Sequence, residues 1–207
     1  YHEAGHAIAT RMLPSQDPVH QISIIPRGRA GGYTLSLPEK DKFYASKNEM
    51  IDNIVTLLGG RVAESLTMDD ISTGASNDIE RATNIAKNMV VKYGMSEKLG
   101  PMTFGSSNSE VFLGKDYGRA QDYSENVAAQ IDEEIKKIID GAYERCTQIL
   151  QDNMDKLKLV AEELLEKETI DAQRFEELFS GKADEEVAET VEAVEVLEAS
   201  EEEKTEE

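Results

Sequence analysis

Apolar residues recur every three or four positions over much of the chain, which is the spacing of one face of an α-helix. The predicted helices cover residues 1–13, 46–66, 79–93 and 122–152, then a shorter helix through 157–165 and a terminal helix ending near residue 179. Ser46 and Glu49 form a capping box at the start of the second helix. Gly59 and Gly60 are expected to interrupt that helix and to let another backbone pack closely against it.

Two short segments, 19–25 and 33–37, carry the β-rich and partly alternating pattern of strands instead. They predict a two-stranded antiparallel ribbon, so the fold class is mainly α (α+β): a helical domain with a small β-ribbon. The exposed edge of such a ribbon can bind an extended peptide as an additional strand. Gly32, Tyr33 and Thr34 are the candidate substrate-binding residues on this basis. An ordinary hairpin that only packs on the helices is an equally good interpretation.

The first helix opens with the sequence YHEAGH, in which His2, Glu3 and His6 form an HExxH motif. His2 and His6 lie on one face of a helix, so both imidazoles can bind a single ion. Glu3 is left beside the ion, where its carboxylate can accept a proton from water. The motif predicts a zinc hydrolase with His2 and His6 as ligands and Glu3 as catalytic base. A surface helix with two unrelated histidines is the weaker alternative.

The charge of the chain is uneven. Its 207 residues carry a formal net charge of −20, of which residues 184–207 contribute −11. This acidic end cannot bury enough apolar surface to offset its chain entropy, so it is expected to be disordered. The chain is therefore divided into a zinc metallopeptidase domain at 1–182 and an acidic tail at 183–207. A chain this acidic is a poor partner for nucleic acid.

The chain begins inside the predicted motif helix, without a capping residue, which indicates a fragment of a longer polypeptide. No apolar run approaches the length of a transmembrane helix, so the fragment itself is expected to be soluble. The single cysteine, Cys146, lies on the apolar stripe of the long helix and is predicted to be a core residue.

A catalytic zinc site needs a third protein ligand. His20 at the start of a strand and Cys146 on a core stripe are weak candidates. Glu64 lies on a helix, the geometry by which a downstream glutamate completes a thermolysin-type site. Asp78 follows a polar turn at a helix start, where it could also serve as a first-turn acid. The pattern alone leaves Glu64 and Asp78 level.

Several segments, in the same order, closely resemble the FtsH family of membrane-anchored ATP-dependent zinc proteases. They are residues 1–7 (YHEAGHA), 22–28 (ISIIPRG), 59–64 (GGRVAE), 72–83 (STGASNDIERAT), 94–101 (GMSEKLGP) and 168–171 (ETID). The resemblance implies Asp78 as third ligand beside His2 and His6, with Glu3 as base. It leaves Glu64 and Asn77 to support the ligands without binding the metal. Family members often carry two consecutive acids where this chain has Glu64 followed by Ser65.

The resemblance also implies partners and location. One Zn²⁺ per chain is expected, with ATP acting only through an upstream AAA+ module that is not part of this chain. Unfolded or membrane-extracted proteins are the expected substrates and a homo-hexamer the expected assembly. The parent protein would be bound to a membrane, most simply the bacterial inner membrane, with this domain on the cytoplasmic side. Two alternatives remain: another single-zinc amide hydrolase, or a non-catalytic hexamerisation or adaptor domain.

Overall fold

The computed structural model describes residues 1–28, 31–38, 44–68, 70–104 and 123–181. Within these ranges the chain forms six helices and one three-stranded antiparallel sheet. The elements are α1 His2–Met12, β1 Val19–Ser23, β2 Tyr33–Ser36, α2 Lys47–Thr67, α3 Ser76–Val91, α4 Glu125–Asp152, α5 Met154–Lys167, β3 Thr169–Asp171 and α6 Ala172–Ser180. The predicted mainly α class is confirmed, whereas the predicted tail at 183–207 lies outside the described residues.

Helix α1 occupies the centre of this fold. Seven consecutive residues, 4–10, are buried, and the helix contacts α2, α4, α5, β1 and β2. A helix buried on all sides must be small or apolar all round, which the sequence AGHAIAT largely satisfies. The large side chains that fill the surrounding core include Ile8, Ile22, Ile54, Met89, Leu150, Leu157, Leu164 and Phe175. Burial of each such side chain contributes about 1.5–3 kcal/mol.

Helices α1 and α2 cross at Gly5 and Gly59. A Cβ atom built on Gly5 would lie 2.4 Å from the carbonyl oxygen of Gly59 and 2.6 Å from the Cβ of Ala63. The predicted close approach of another backbone is therefore confirmed. The predicted interruption is wrong, because α2 runs unbroken through Gly59 and Gly60. Tertiary packing keeps these glycines helical despite their low intrinsic propensity.

We expect Gly59→Ala to lower the free energy of unfolding by about 1–3 kcal/mol, the usual cost of overpacking. The added Cβ would lie 2.8 Å from the Gly5 carbonyl oxygen and 3.0 Å from the His6 Cα, and neither backbone can move aside cheaply. Urea unfolding measures the change. Gly141→Ala in α4 is the matched control, since nothing lies within 4 Å of that position, and it should stabilise by about 0.5–1 kcal/mol. Equal effects of both substitutions would contradict the packing argument.

Helix α3 begins at Ser76, three residues before the predicted start at 79, and it ends at Val91 instead of 93. Asp78 consequently lies in the first helical turn. Gly94 lies two residues beyond the helix cap at Lys92 and has a φ of +60°. The long helix α4 begins at Glu125, where the Ser124 hydroxyl accepts a hydrogen bond from the Val127 amide. The start predicted at 122 was therefore too early.

The sheet has the strand order β2-β1-β3 and is antiparallel throughout. Ile22 of β1 pairs with Thr34 of β2 on one side and with Ile170 of β3 on the other. The prediction of a two-stranded ribbon therefore missed the third strand, β3. This strand has only three residues, which is too short for an alternating pattern to be recognised in the sequence. Strand β2 remains at an edge of the sheet.

Candidate metal centre

The two motif histidines meet at the surface where α1 faces a large cleft. Their Nε2 atoms lie 3.1 Å apart, and the two rings are close to perpendicular, at 73°. His6 is buried and His2 is half-buried. Four-residue spacing on one helix produces this arrangement directly.

Asp78 approaches the histidines from α3. Its Oδ2 lies 3.5 Å from the Nε2 of His2 and 3.5 Å from the Nε2 of His6. Among the described residues, these three form a group whose candidate ligand atoms all lie within 4.8 Å of one another. Two ligands held at about 2.0–2.1 Å from one tetrahedral zinc ion lie about 3.3 Å apart. Both the donor set and its spacing therefore fit Zn²⁺.

The other ring nitrogen of each histidine is held by a separate acceptor. His6 Nδ1 hydrogen-bonds the carbonyl oxygen of Thr56 at 2.8 Å, and His2 Nδ1 hydrogen-bonds Glu64 Oε1 at 2.9 Å. When each Nδ1 carries the proton, each Nε2 presents a lone pair towards Asp78. Glu64 is thereby placed behind His2, and it also accepts hydrogen bonds from the Ser72 amide and hydroxyl.

The charges of the cluster attract one another. The hydrogen bond with Asp78 raises the pKa of His2, against the effect of burial. Burial acts to raise the pKa of the Asp78 carboxyl, but hydrogen bonds with His2 and His6 outweigh it and hold that pKa well below its usual range. For Glu64 also, burial is outweighed by hydrogen bonds from His2 and Ser72, and its pKa is lowered. A metal ion competes with protons for such a cluster.

Gly60 makes room for the first histidine. A Cβ atom at this position would lie 2.4 Å from His2 Cε1 and 2.5 Å from His2 Nε2. The two adjacent glycines therefore have different roles: Gly59 allows the close crossing of α1 and α2, and Gly60 leaves space for the His2 imidazole. In the sequence, Gly59 and Gly60 within a helical pattern indicated close packing. The sequence could not show which group packs against each glycine, because that depends on the tertiary fold.

A cleft of about 1320 Å³ contains the cluster together with Glu3. Gly32, Tyr33, Thr34, Glu64 and Asn77 also line this cleft. The residues predicted from the sequence for ligand, base, substrate and supporting roles are therefore all brought to one place.

The two weaker ligand candidates lie elsewhere. His20 is exposed on β1, and Cys146 is fully buried in α4 among core residues. Burial also raises the pKa of the Cys146 thiol to about 12. Because Cys146 lies in the core and outside the group of His2, His6 and Asp78, its predicted core role is confirmed. Sequence reasoning missed the Thr56 carbonyl, for which no side-chain pattern exists, and the contact of Thr34 with Glu3.

An HExxH helix packed among helices, with a carboxylate brought to its histidines from a separate helix, is an arrangement typical of metallopeptidases. The chain belongs to peptidase family M41, whose family model matches residues 1–178. The resemblance to FtsH proteases is thereby confirmed.

Relatives with high identity agree with this assignment. The chain is 63% identical over 182 residues to ATP-dependent zinc metalloprotease FtsH 1 of Thermoanaerobacter sp., a match that covers 88% of this chain and 30% of the relative. It is 62% identical over 178 residues to the FtsH of Caldicellulosiruptor bescii, covering 86% and 29%. It is 51% identical over 179 residues to the FtsH of Bacillus subtilis, covering 86% and 28%. The chain thus spans less than a third of the length of these relatives.

Among the helices within the described ranges, none combines the length and the apolar composition that crossing a membrane requires.

Proposed function

We propose that this chain is a zinc-dependent endopeptidase in which His2, His6 and Asp78 hold the ion and Glu3 is the catalytic base. The observation that carries the proposal is the convergence of the Nε2 atoms of His2 and His6 with the Oδ2 atom of Asp78: the three atoms lie 3.1–3.5 Å apart, and the three residues line one cleft. Glu64 and Asn77 are assigned supporting roles. The hydrogen bond from His2 to Glu64 fixes the ring orientation that ligation needs.

Bound zinc supplies a Lewis acid that activates water and polarises a peptide carbonyl. Glu3 accepts the proton of the attacking water and can return it to the leaving amine, since a carboxylate performs both steps once it is correctly placed. The hydrogen bonds of His2 and His6 to Glu64 and Thr56 keep both Nε2 atoms directed towards Asp78, where the ion would be held. The negative charge of the Asp78 carboxylate would offset part of the positive charge of the bound ion.

The substrate is proposed to lie extended along the edge of β2 that, within the described part of the chain, pairs with no other strand. This edge strand borders the cleft that contains Glu3, and Gly32, Tyr33 and Thr34 line it. Pairing through the backbone accepts many sequences, because the hydrogen bonds do not involve substrate side chains. An endopeptidase of unfolded proteins needs that tolerance.

The remainder of the function is proposed from the relatives, which are named as ATP-dependent. We assign ATP use to an AAA+ module upstream in the parent protein, and substrate extraction to a membrane-bound homo-hexamer with this domain on the cytoplasmic side. Residues 1–182 form the peptidase domain in this proposal, with 183–207 as a tail.

A cleavage assay on an unfolded protein such as casein tests the proposed chemistry. The zinc-loaded chain should cleave casein without ATP and leave a stably folded protein intact. Removal of zinc by a chelator should abolish cleavage, and added Zn²⁺ should restore it. Cleavage that persists without metal contradicts the proposal. Hydrolysis of small amides alone would favour another zinc hydrolase, and a chain that binds no zinc would favour an adaptor domain.

A further inference from the structure

Strand β2 contacts the proposed base directly. The Thr34 hydroxyl lies within hydrogen-bond distance of two Glu3 oxygens, 3.0 Å from the backbone carbonyl and 3.2 Å from carboxylate Oε2, and its one proton is shared between these two acceptors. The strand that borders the cleft therefore also holds the first turn of α1 and its acidic side chain.

The residue two positions earlier faces the same group. A Cβ atom on Gly32 would lie 2.8 Å from Glu3 Oε1 and 2.9 Å from Glu3 Cγ. Positions two apart share one face of an extended chain, so Gly32 leaves space for the carboxylate while Thr34 binds it. Tyr33 makes different contacts, with its hydroxyl on Gln21 Oε1 at 2.8 Å and its ring 4.7 Å from the Arg27 guanidinium carbon.

Glu3 needs such support because its side chain is long and only half-buried. A general base acts only when it lies within hydrogen-bond reach of the proton that it accepts. A displacement of about 1 Å at a reacting group can cost on the order of 100-fold in rate. A hydrogen bond to one carboxylate oxygen restricts the rotation of the group and leaves the other oxygen for the proton.

We propose that Thr34 is a positioning residue for Glu3, and that its hydroxyl holds the carboxylate in the orientation that proton transfer requires. The inference rests on the proposed function, in which Glu3 is the base. It gives β2 a second role besides binding the peptide. The strand that aligns the substrate also aligns the Glu3 carboxylate, which accepts the proton of the attacking water.

The test compares Thr34→Val, which keeps the shape but removes the hydroxyl, with Thr34→Ser, which keeps the hydroxyl. Steady-state cleavage of a casein-derived fluorogenic peptide should show kcat lowered about 10-fold in Thr34→Val with KM within about twofold of the parent chain. Thr34→Ser should recover most of kcat. Thr147→Val is the matched control, because the Thr147 hydroxyl donates to the Tyr143 carbonyl of its own helix, α4, and it should leave kcat unchanged.

Bound zinc and melting temperature should be the same in all three variants, which separates positioning from loss of metal or of fold. Parent-like kcat in Thr34→Val would overturn the inference, as would equal losses in the Val and Ser variants or a change in KM alone. Glu3→Gln, measured in parallel, distinguishes a failure of the proposed function from a failure of the inference about Thr34. If Glu3→Gln remains active, the proposed function fails; if it is inactive while Thr34→Val is normal, only the inference fails.

Discussion

Glu3→Gln should lower kcat for peptide cleavage by about 10²–10⁴-fold, the range that a positioned acid–base group contributes. The amide keeps the size of the side chain and can still accept the Thr34 hydroxyl at its carbonyl oxygen. It cannot accept the proton of the attacking water, because the carboxylate charge has been removed. The variant should therefore fold normally and bind one zinc ion per chain.

Cleavage rates, zinc content and urea unfolding measured on the same preparation check this prediction. Glu166→Gln, at an exposed position of α5, makes the same chemical change away from the cleft and should leave all three quantities unchanged. Unchanged turnover in Glu3→Gln would remove Glu3 from the mechanism. Loss of zinc in that variant would instead give Glu3 a role in binding the ion.

Asp78→Ala should lose zinc, whereas Glu64→Ala should retain it. Asp78 Oδ2 lies 3.5 Å from both Nε2 atoms, so its removal leaves two protein ligands where a catalytic site needs three. Glu64 hydrogen-bonds the far side of the His2 ring. Loss of a group that orients a ligand in this way lowers metal affinity by about 10–100-fold, which still permits binding at excess zinc.

Competition with a zinc-chelating dye gives both affinities, and casein cleavage follows the active fraction. Asp78→Asn is a useful companion, since it keeps the shape of the side chain while removing its charge, and it should also bind zinc poorly. The reverse outcome, in which Glu64→Ala loses zinc and Asp78→Ala keeps it, would overturn the proposed ligand set.

Local features of the site could be predicted from the sequence. His2, Glu3 and His6 share two turns of one helix, so their mutual geometry follows from helical spacing alone. The capping box at Ser46 and Glu49 is likewise local, and both of its hydrogen bonds are present.

The choice between Glu64 and Asp78 could not be made locally. Both are helical acids far from His2 in sequence, and the pattern treats them alike. The crossing of α1 and α2 at Gly5 and Gly59 decides where Glu64 lies, at the Nδ1 side of His2, and leaves the Nε2 side to α3. The resemblance to the FtsH family favoured Asp78, because a family's sequence motifs reflect its tertiary structure. The spacing of residues along one chain does not contain that information.

The position of β3 affects when the cleft can be completed. β3 pairs with β1 through Ile170 and Ile22, and the Ile24 amide donates to the Glu168 carbonyl, so a segment near residue 170 closes the sheet that carries β2. Domains generally fold as units, the N-terminal ones first during synthesis. The HEAGH sequence leaves the ribosome long before that closing strand. The sheet that carries β2 is therefore complete only after the chain has been synthesised as far as β3.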